Sequence, residues 1–406
     1  MSHRMNFLIL FYFLFASAIG IFSQTWTQTS APTYQEWNAM ACSADGSKIL
    51  AVGQTGVYTS TNSGTEWTPA KVPPPSYENN WRAAAASSDG VTLAAGDYHH
   101  IYISTNSGVT WLLSTNAPED FWLSIACSSD GAKLVAAPYY DIAAGNAQPL
   151  YVSTDSGTTW TAALTPSNHW TAVASSADGT RLIALSSYGP VYISTNSGTT
   201  WTSNNVVAYW ESVACSADGT KAVAVANPGQ LYTSTNSGVA WSSHFIPGGG
   251  TDFGSVASSA DGTSLVAVGR EGSTPIFVST NSGKSWVKQT NASLMASWNA
   301  VASSADGHKM FAATYGFVVN DSSGGIYCLQ TTPSPQLNLI SLSTNLAILW
   351  TVPSANFVLQ QNVDLNTTNW MTLTDAPALN LTNLQNQVML SPTNSSGFYR
   401  LATPQP

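Results

Sequence analysis

The sequence repeats the pattern Ser-x-Asn-x-Gly-x-x-Trp, with Asp once in place of Asn, at nearly regular intervals along most of its length. Each copy follows an Asp-Gly pair, and the two marks together define a unit of about 40 to 48 residues. A unit of this size cannot bury its apolar face alone, so the chain must fold as an array of similar units. The copies end at Trp67, Trp111, Trp160, Trp201, Trp241 and Trp286.

Each unit has the pattern of four short strands joined by tight turns. Strand A begins with an aromatic residue, continues through small apolar residues as in "WTAVASSADG", and ends at the Asp-Gly turn. Runs such as "TRLIAL", "VYIST" and "TTWT" predict strands B, C and D, with the Asn-Ser-Gly turn between the last two. Four strands per unit are typical of a β-propeller blade, and seven units fit the chain. The seven turn aspartates are Asp45, Asp89, Asp130, Asp178, Asp218, Asp261 and Asp306.

The seventh unit is incomplete at its C-terminal end. Its strand C is "GGIYCL", from Gly324 to Leu329, and no strand D follows. The segment "QTWTQTS" near the N-terminus matches strand D, and Trp26 lies about one repeat length before Trp67. A ring closed by this segment leaves no open sheet edge. The sequence therefore predicts an all-β, seven-bladed β-propeller closed by an N-terminal strand.

Two further segments flank the predicted propeller, which we assign to residues 24–330. Residues 1–23 have a cationic start at Arg4, an apolar run and then small residues, a pattern typical of a secretory signal peptide. An uncleaved anchor is the alternative, because apolar residues continue to Phe22. We expect a secreted or cell-surface protein without a membrane span after signal cleavage, with the periplasm as the alternative location. Residues 331–406 lack the repeat and show short alternating strands, which predicts a small C-terminal β-sandwich.

The low content of charged residues limits the partners that the chain can bind. Only 8% of residues are charged, and the net charge of −9 reflects a shortage of Lys and Arg. A nucleic-acid interface needs clusters of those residues, so nucleic acid is excluded as a partner. Many of the acidic residues fall in the loops opposite the Asp-Gly turns. This distribution suits a neutral glycan, a cation or a basic protein surface.

The segments "STNSGTTW", "STDSGTTW" and "STNSGKSW" resemble the Asp box, also called the BNR repeat. This repeat is found in sialidases, xyloglucan-degrading hydrolases, sortilin-type receptors and photosystem II assembly-factor-like propellers. In such a segment Asn or Asp accepts hydrogen bonds from turn N–H groups, Gly permits a positive φ, and Trp packs between sheets. These are the requirements of a hairpin turn. A structural role is therefore expected for Asn62, Asn106, Asp155, Asn196, Asn236 and Asn281.

Sialidase activity does not follow from this resemblance. Membership of the sialidases implies an Arg-Ile-Pro sequence and an arginine triad that holds the substrate carboxylate, and this chain has no Arg-Ile-Pro. Apart from one arginine near each end, it offers only Arg82, Arg181 and Arg270. The chain is identified as a non-sialidase member of the sialidase-like and photosystem II assembly-factor-like propellers. It carries no motif for a nucleotide, a metal or a covalent nucleophile, so no cofactor and no metal are predicted.

The B–C and D–A loops vary in length and composition, as binding loops on a rigid scaffold do. We call the face that carries them the variable face, and the opposite face the uniform face. Asp97 and Asp141 are candidates for a general acid and base. Adjacent His99 and His100 point opposite ways on a strand, which disfavours a metal site. The tryptophans that begin the strands A either stack on sugar rings or wedge between blades. The candidate ligand-binding residues are Glu78, Trp81, Asp97, Tyr98, His99, Tyr139, Tyr140, Asp141, Trp170, Trp210 and Glu211.

Two functions fit these features. The first is a non-enzymatic scaffold that binds a glycan or a protein partner through the acidic and aromatic residues of the variable face. The second is a glycoside hydrolase or polysaccharide lyase that uses carboxylates of the same face. The sequence favours the scaffold, because spacing alone does not assign a catalytic role to any pair of carboxylates.

Overall fold

The computed structural model of the chain consists of strands and turns, which confirms the predicted all-β class. Its described residues contain no helix, and therefore none that is long and apolar enough to span a membrane. The chain divides into two compact units, of which one is Gln24–Gln330 and the other contains Thr331–Pro406. The structure describes residues 25–33, 35–74, 80–139, 148–246, 252–270, 275–289, 296–314, 324–331, 338–341, 346–351, 358–362, 369, 371–372, 378–380, 385–390 and 398–402.

The unit Gln24–Gln330 contains seven antiparallel sheets of four strands each, as predicted. Strand β1 is Thr27–Gln28. Sheet 1 has β2 (Trp37–Cys42), β3 (Ile49–Gly53), β4 (Gly56–Ser60) and β5 (Thr68–Pro69). Sheet 2 has β6 (Ala83–Ala86), β7 (Leu93–Gly96), β8 (Ile101–Ser104) and β9 (Leu112–Leu113). Sheet 3 has β10 (Trp122–Cys127), β11 (Leu134–Pro138), β12 (Tyr151–Ser153) and β13 (Thr161–Ala162). Sheet 4 has β14 (Trp170–Ser175), β15 (Leu182–Ser186), β16 (Val191–Ser194) and β17 (Thr202–Ser203).

The remaining sheets of this unit continue the same order. Sheet 5 has β18 (Tyr209–Cys215), β19 (Ala222–Asn227), β20 (Gln230–Ser234) and β21 (Ser242–Phe245). Sheet 6 has β22 (Phe253–Ser258), β23 (Leu265–Gly269), β24 (Phe277–Ser279) and β25 (Val287–Lys288). Sheet 7 has β26 (Trp298–Ser303), β27 (Lys309–Thr314) and β28 (Ile326–Gln330), and β1 supplies its outer strand. Thr27 pairs with Cys328 and Gln28 with Tyr327, so the predicted closure by the N-terminal strand is confirmed.

Each strand A ends in a turn that an Asp and a Ser hold together. In sheet 4 Ser176 Oγ donates to Asp178 Oδ1 at 2.5 Å, and the same carboxylate oxygen accepts the backbone N–H of Thr180 at 2.9 Å. These hydrogen bonds to the charged form lower the pKa of Asp178 to about 2. The pKa values of the other turn aspartates are lowered as well, at Asp45, Asp89, Asp130, Asp218, Asp261 and Asp306.

Acid should therefore weaken the propeller within a defined pH range. The pKa of Asp178 is lower in the folded chain than its ordinary value of 3.8, so this carboxylate stabilises the fold above about pH 4. That contribution is lost as the pH falls from about 4 towards about 2. We expect the urea midpoint, followed by tryptophan fluorescence, to fall steeply over this range. Asp178→Asn has no carboxylate to protonate, so the urea midpoint of this variant should depend less steeply on pH. A wild-type midpoint that stays constant from about pH 4 to 2 would show that protonation of the turn aspartates does not weaken the fold.

Long cationic side chains join neighbouring sheets on the uniform face. Lys48 Nζ donates to the backbone carbonyl of Asp89 at 2.8 Å and to Ser107 Oγ at 3.1 Å, both in the next sheet. The cations after the Asp-Gly turns are therefore used to hold the ring together. Equivalent bonds to the next sheet start from Lys133, Arg181, Lys221 and Lys309.

The Asn-Ser-Gly segments form tight turns between strands C and D. In sheet 4 Asn196 Oδ1 accepts the N–H of Thr200 at 2.9 Å and the hydroxyl of Ser194 at 3.0 Å. Gly198 has a φ of +81°, which this turn requires, and its carbonyl accepts the indole N–H of Trp201 at 3.0 Å. The local contacts of this segment are thus those of a hairpin turn.

The second unit contains two small antiparallel sheets. One has β29 (Asn338–Ser341), β30 (Leu346–Thr351), β34 (Gln385–Leu390) and β33 (Ala378–Asn380), in that order. The other has β32 (Met371–Thr372), β31 (Val358–Asn362) and β35 (Phe398–Ala402). Ile348 and Val388 of the first sheet and Leu359 of the second are buried. The predicted small C-terminal β module is confirmed.

Candidate functional site

The innermost strands carry a bulge at the variable face. In sheet 4 Trp170 pairs with Ser186 and Ala172 with Leu185, so Thr171 is the extra residue. The same slip follows the first aromatic residue in sheets 1, 3, 5, 6 and 7. A bulge turns its extra residue away from the regular pleat. We call the ring of residues at this position, including the equivalent residue of sheet 2, the mouth: Asn38, Arg82, Leu123, Thr171, Glu211, Gly254 and Asn299.

The mouth differs from the strands around it because its residues change from sheet to sheet. The positions on either side repeat an aromatic residue and small residues, whereas the mouth has amide, cationic, apolar, hydroxyl and acidic members. The innermost strands of neighbouring sheets contact each other, which brings these residues together. Of the mouth residues, sequence reasoning selected Glu211 alone. The signal that would have found the others is variation immediately after a repeated Trp.

Hydrogen bonds donated by asparagine side chains join sheets 7, 1 and 2 at the mouth. Asn299 Nδ2 donates to the carbonyl of Trp37 at 3.1 Å and lies 3.4 Å from Asn38 Oδ1. Asn38 Nδ2 donates to the carbonyl of Trp81 at 2.9 Å and lies 3.5 Å from Asn80 Oδ1. We call Asn299, Asn38 and Asn80 the amide arc. Asn299 and Asn38 are fixed by backbone carbonyls, and Asn80 is fixed by the side chains of Arg82 and Tyr98, so the orientation of the arc is set before any ligand binds.

A partly buried ion pair closes one end of the amide arc. Arg270 Nη1 donates to Glu211 Oε2 at 2.7 Å, and Arg270 Nε donates to Asn299 Oδ1 at 3.0 Å. Glu211 Oε1 accepts the side-chain amide of Asn227 at 3.0 Å. Gly254 leaves the room that Arg270 occupies, since a Cβ there would lie 2.8 Å from Arg270 Cγ. Burial raises the pKa of Glu211, and Arg270 offsets only part of that effect.

Three aromatic rings lie next to the other end of the arc. Asn80 Nδ2 donates to the Tyr98 hydroxyl at 3.0 Å, and the Tyr98 ring stacks on Phe121 with 4.0 Å between centroids. Phe121 in turn contacts Tyr139 with 4.8 Å between centroids. Tyr139 is 43% exposed, so this group, which we call the aromatic cluster, reaches solvent. Two of its members, Tyr98 and Tyr139, were predicted as ligand-binding residues, and the structure brings them together through Phe121.

Asp97, the first catalytic candidate, lies inside the protein. It is 1% exposed, and its Oδ1 accepts the backbone N–H groups of His99 and His100 at 2.8 and 2.6 Å. Burial raises its pKa, against the opposing effect of these hydrogen bonds. The carboxylate therefore holds the turn of its own loop and is not accessible to a substrate. The neighbouring His99 is exposed.

The predicted tryptophans do not offer their rings to a ligand. Trp81, Trp170 and Trp210 are at most 2% exposed, because each packs in the cluster of apolar side chains between two neighbouring sheets. Their burial favours the wedge interpretation over the prediction that they bind ligand. Three other predicted residues, Glu78, Tyr140 and Asp141, lie outside the described residues. Within the described ranges no group of three or more His, Cys, Asp and Glu side chains is placed to hold a metal ion.

Arg82 is the mouth residue with the largest unused binding capacity. Its Nε donates to Asn80 Oδ1 at 3.1 Å, and it forms no ion pair within the part of the chain that the structure describes. The side chain is half-buried. The mouth thus combines fixed amides, a cation that has no counter-ion among the described residues, and an exposed aromatic cluster. Such a set can accept and donate hydrogen bonds and also cover an apolar group.

The propeller resembles solved structures in fold. YCF48 bound to a D1 peptide is 15% identical, with a TM-score of 0.57 over 76% of this chain and 96% of that chain. YCF48 from Cyanidioschyzon merolae is 15% identical, with a TM-score of 0.57 over 75% and 98%. An ancestral GH74 enzyme is 14% identical, with a TM-score of 0.54 over 84% of this chain and 51% of that chain. No protein-family model and no curated protein matches the chain. At these identities the likeness concerns the fold, and the chain shares the seven-bladed β-propeller fold of its neighbours.

Proposed function

We propose that this protein is a secreted or cell-surface scaffold that binds an extended segment of a partner protein across the mouth on its variable face. The observation that carries the proposal is the amide arc, which three sheets hold in one orientation. The pattern of residues 1–23, with a cationic start, an apolar run and small residues, supports export.

The chemistry of the amide arc suits a polypeptide backbone. The N–H donors of Asn38 and Asn299 already bond to backbone carbonyls and within the arc, so these side chains keep acceptor capacity on Oδ1 for a ligand. An extended peptide presents backbone N–H groups at regular intervals, and little side-chain entropy is lost when oxygens that are already fixed accept them. The arc therefore favours a ligand with repeated, evenly spaced polar groups.

The aromatic cluster and Arg82 supply contacts for the side chains of such a segment. Tyr98, Phe121 and Tyr139 present ring surface that covers an apolar residue, and aromatic residues are frequent anchors of protein interfaces. Arg82 has no carboxylate partner within the described ranges, so its guanidinium can bind an acidic or carbonyl group of the segment. A structural neighbour of this chain, YCF48, was solved bound to a D1 peptide, which supports a protein partner.

The alternatives have weaker support among the described residues. Sugar stacking on the repeated tryptophans is disfavoured because Trp81, Trp170 and Trp210 are buried. A hydrolase or lyase needs two accessible carboxylates. Asp97 is buried and Glu211 is bonded to Arg270 and Asn227, so neither is free to act.

Blocking the mouth should weaken the binding of peptides selected on the wild-type protein. The probe is a displayed library of random twelve-residue peptides. Thr171→Arg places a long side chain at a mouth position that now holds a partly exposed Thr. We expect the selected peptides to lose at least about tenfold in affinity, equal to about 1.4 kcal/mol. The affinity is measured by fluorescence anisotropy with synthetic copies of the peptides.

The matched control places the same residue on the other side of the ring. Ser88→Arg adds an arginine at an exposed turn of the uniform face and should leave peptide affinity within a factor of two or so. Melting temperatures of both variants confirm that the ring is intact. Peptides that bind the Thr171→Arg variant as tightly as the wild type would overturn the proposal, as would release of reducing ends or unsaturated products from a polysaccharide.

A further inference from the structure

A second group of exposed aromatic residues lies on the variable face of sheets 4 and 5. Tyr188, in the turn between β15 and β16, is 62% exposed, and Tyr209, at the start of β18, is 42% exposed. Their rings meet edge to face with an interplanar angle of 73°. Val207, two residues before Tyr209 in the loop that follows β17, is 61% exposed. We call Tyr188, Val207 and Tyr209 the platform.

The backbone of Tyr188 is in a conformation that tyrosine rarely adopts. Its φ is +54°, and the N–H of Gly189 donates to the carbonyl of Ser186 at 3.0 Å, so Tyr188 is the third residue of a β-turn. That position with positive φ normally holds Gly or Asn. The short turn of the next sheet uses Gly229, with a φ of +62°. Among the described residues that are not Gly, positive φ is otherwise confined to the Ser of the Asn-Ser-Gly turns.

Burial of the ring does not compensate for this strain. The Tyr188 side chain is mostly in water, so its position contributes little to the core. Strained residues that the surrounding structure holds in place are concentrated at binding sites. The strain therefore points to a ligand contact.

The platform is rigid because backbone and side-chain hydrogen bonds hold its two loops together. Gly189 and Ala208 form a β-bridge between the loops, and the buried indole N–H of Trp210 donates to the Gly189 carbonyl at 3.1 Å. Ser186 Oγ donates to the carbonyl of Pro190 at 2.9 Å. The carbonyls of Ser186, Gly189 and Pro190 and the N–H of Gly189 are thus already used. What the platform presents to a ligand is ring surface and two phenol hydroxyl groups.

We propose that the platform binds a proline-rich stretch of the partner segment, in the polyproline II conformation. No charged residue occurs between Leu182 and Trp210, which matches an uncharged ligand. Proline brings flat apolar surface and a carbonyl acceptor but no N–H donor, and the platform offers rings and O–H donors. Proline-rich segments dock on aromatic surfaces in this way because their conformation is formed before binding. The inference rests on the proposed function, since it names the chemistry of part of the segment.

The test uses labelled decaproline, a Gly-Ser repeat of the same length and the neutral oligosaccharide cellohexaose as probes for the full-length protein. We expect decaproline to bind the wild type and to lose at least about tenfold in affinity on Tyr188→Gly and on Tyr209→Ala. Leu112→Ala, an equally exposed apolar residue on an outer strand, should leave the affinity unchanged. Tyr188→Gly removes the strain, so its melting temperature should equal or exceed that of the wild type.

Several outcomes would overturn the inference. These are decaproline binding that survives both substitutions, equal binding of the Gly-Ser repeat, a Tyr188→Gly variant that melts well below the wild type, or cellohexaose binding in place of decaproline. Failure of decaproline while library peptides still depend on Thr171 refutes the platform assignment and leaves the proposed function intact. Failure of the library peptides as well refutes both.

Discussion

Replacing Trp122 by Ala should lower the free energy of unfolding by about 3 to 5 kcal/mol. The side chain is fully buried, and its ring lies edge-on to Tyr151 with 5.6 Å between centroids. It belongs to the same apolar cluster as Ile101 and Ile103 of the preceding sheet, so alanine would leave a cavity between two sheets. Urea denaturation followed by tryptophan fluorescence measures the effect, because only Trp350 and Trp370 lie outside the propeller unit.

Two comparisons isolate the cause of this loss. Leu112→Ala removes an apolar side chain that is 70% exposed and should change stability by less than about 0.5 kcal/mol. The indole N–H of Trp122 has no hydrogen-bond partner among the described residues, whereas that of Trp210 donates to Gly189. Trp210→Phe should therefore cost about 1 kcal/mol more than Trp122→Phe. A Trp122→Ala variant as stable as Leu112→Ala would refute the wedge role.

Replacing Phe121 by Ala should weaken the binding of a library-selected peptide by about thirtyfold, which corresponds to about 2 kcal/mol. Phe121 is the central ring of the aromatic cluster and contacts both Tyr98 and Tyr139. Its removal takes away an anchor and also leaves the two tyrosine rings free to move. Binding would then cost the conformational entropy of these rings as well. Fluorescence anisotropy with one selected peptide measures the change.

Two control variants distinguish the loss of a peptide contact from the loss of the folded structure. Phe121→Leu keeps apolar volume and should retain part of the affinity, whereas Leu112→Ala on an outer strand should retain all of it. The carbonyl of Phe121 accepts the N–H of Tyr139, a backbone bond that neither substitution at residue 121 removes. Equal affinity of the wild type and Phe121→Ala would place the peptide elsewhere on the ring.

Most of the fold could be predicted from the sequence because each repeat contains two turn motifs that are recognisable from their residues. The Asp-Gly pairs and the Asn-Ser-Gly segments each satisfy local hydrogen bonds, as Ser176 with Asp178 and Asn196 with Thr200 illustrate. Local chemistry of this kind depends on few distant residues, so a short pattern is enough to identify it. The seventh unit lacks strand D in its own sequence, and the N-terminal segment matches that strand. Closure of the ring by β1 could therefore be predicted, and the pairing of β1 with β28 confirms it.

The candidate site could be predicted only in part, because it is made by residues far apart in the chain. Asn299 and Asn38 are brought together by closure of the ring, and Arg270 of sheet 6 reaches Glu211 of the neighbouring sheet 5. The carboxylate of Asp97 made it a catalytic candidate, but its side chain is buried and holds a turn. Burial depends on the tertiary structure, so the sequence did not reveal this role. The tryptophans were ambiguous for the same reason: repetition alone did not distinguish a wedge from a stacking surface.

A crystal structure of the protein with a library-selected peptide will show whether the mouth on the variable face binds an extended protein segment. We expect the peptide in extended conformation, with a backbone N–H donated to Oδ1 of Asn38 or Asn299 and a side chain that covers Phe121. A peptide bound to the uniform face or along the outer strands of the sheets would show that the mouth is not the binding site.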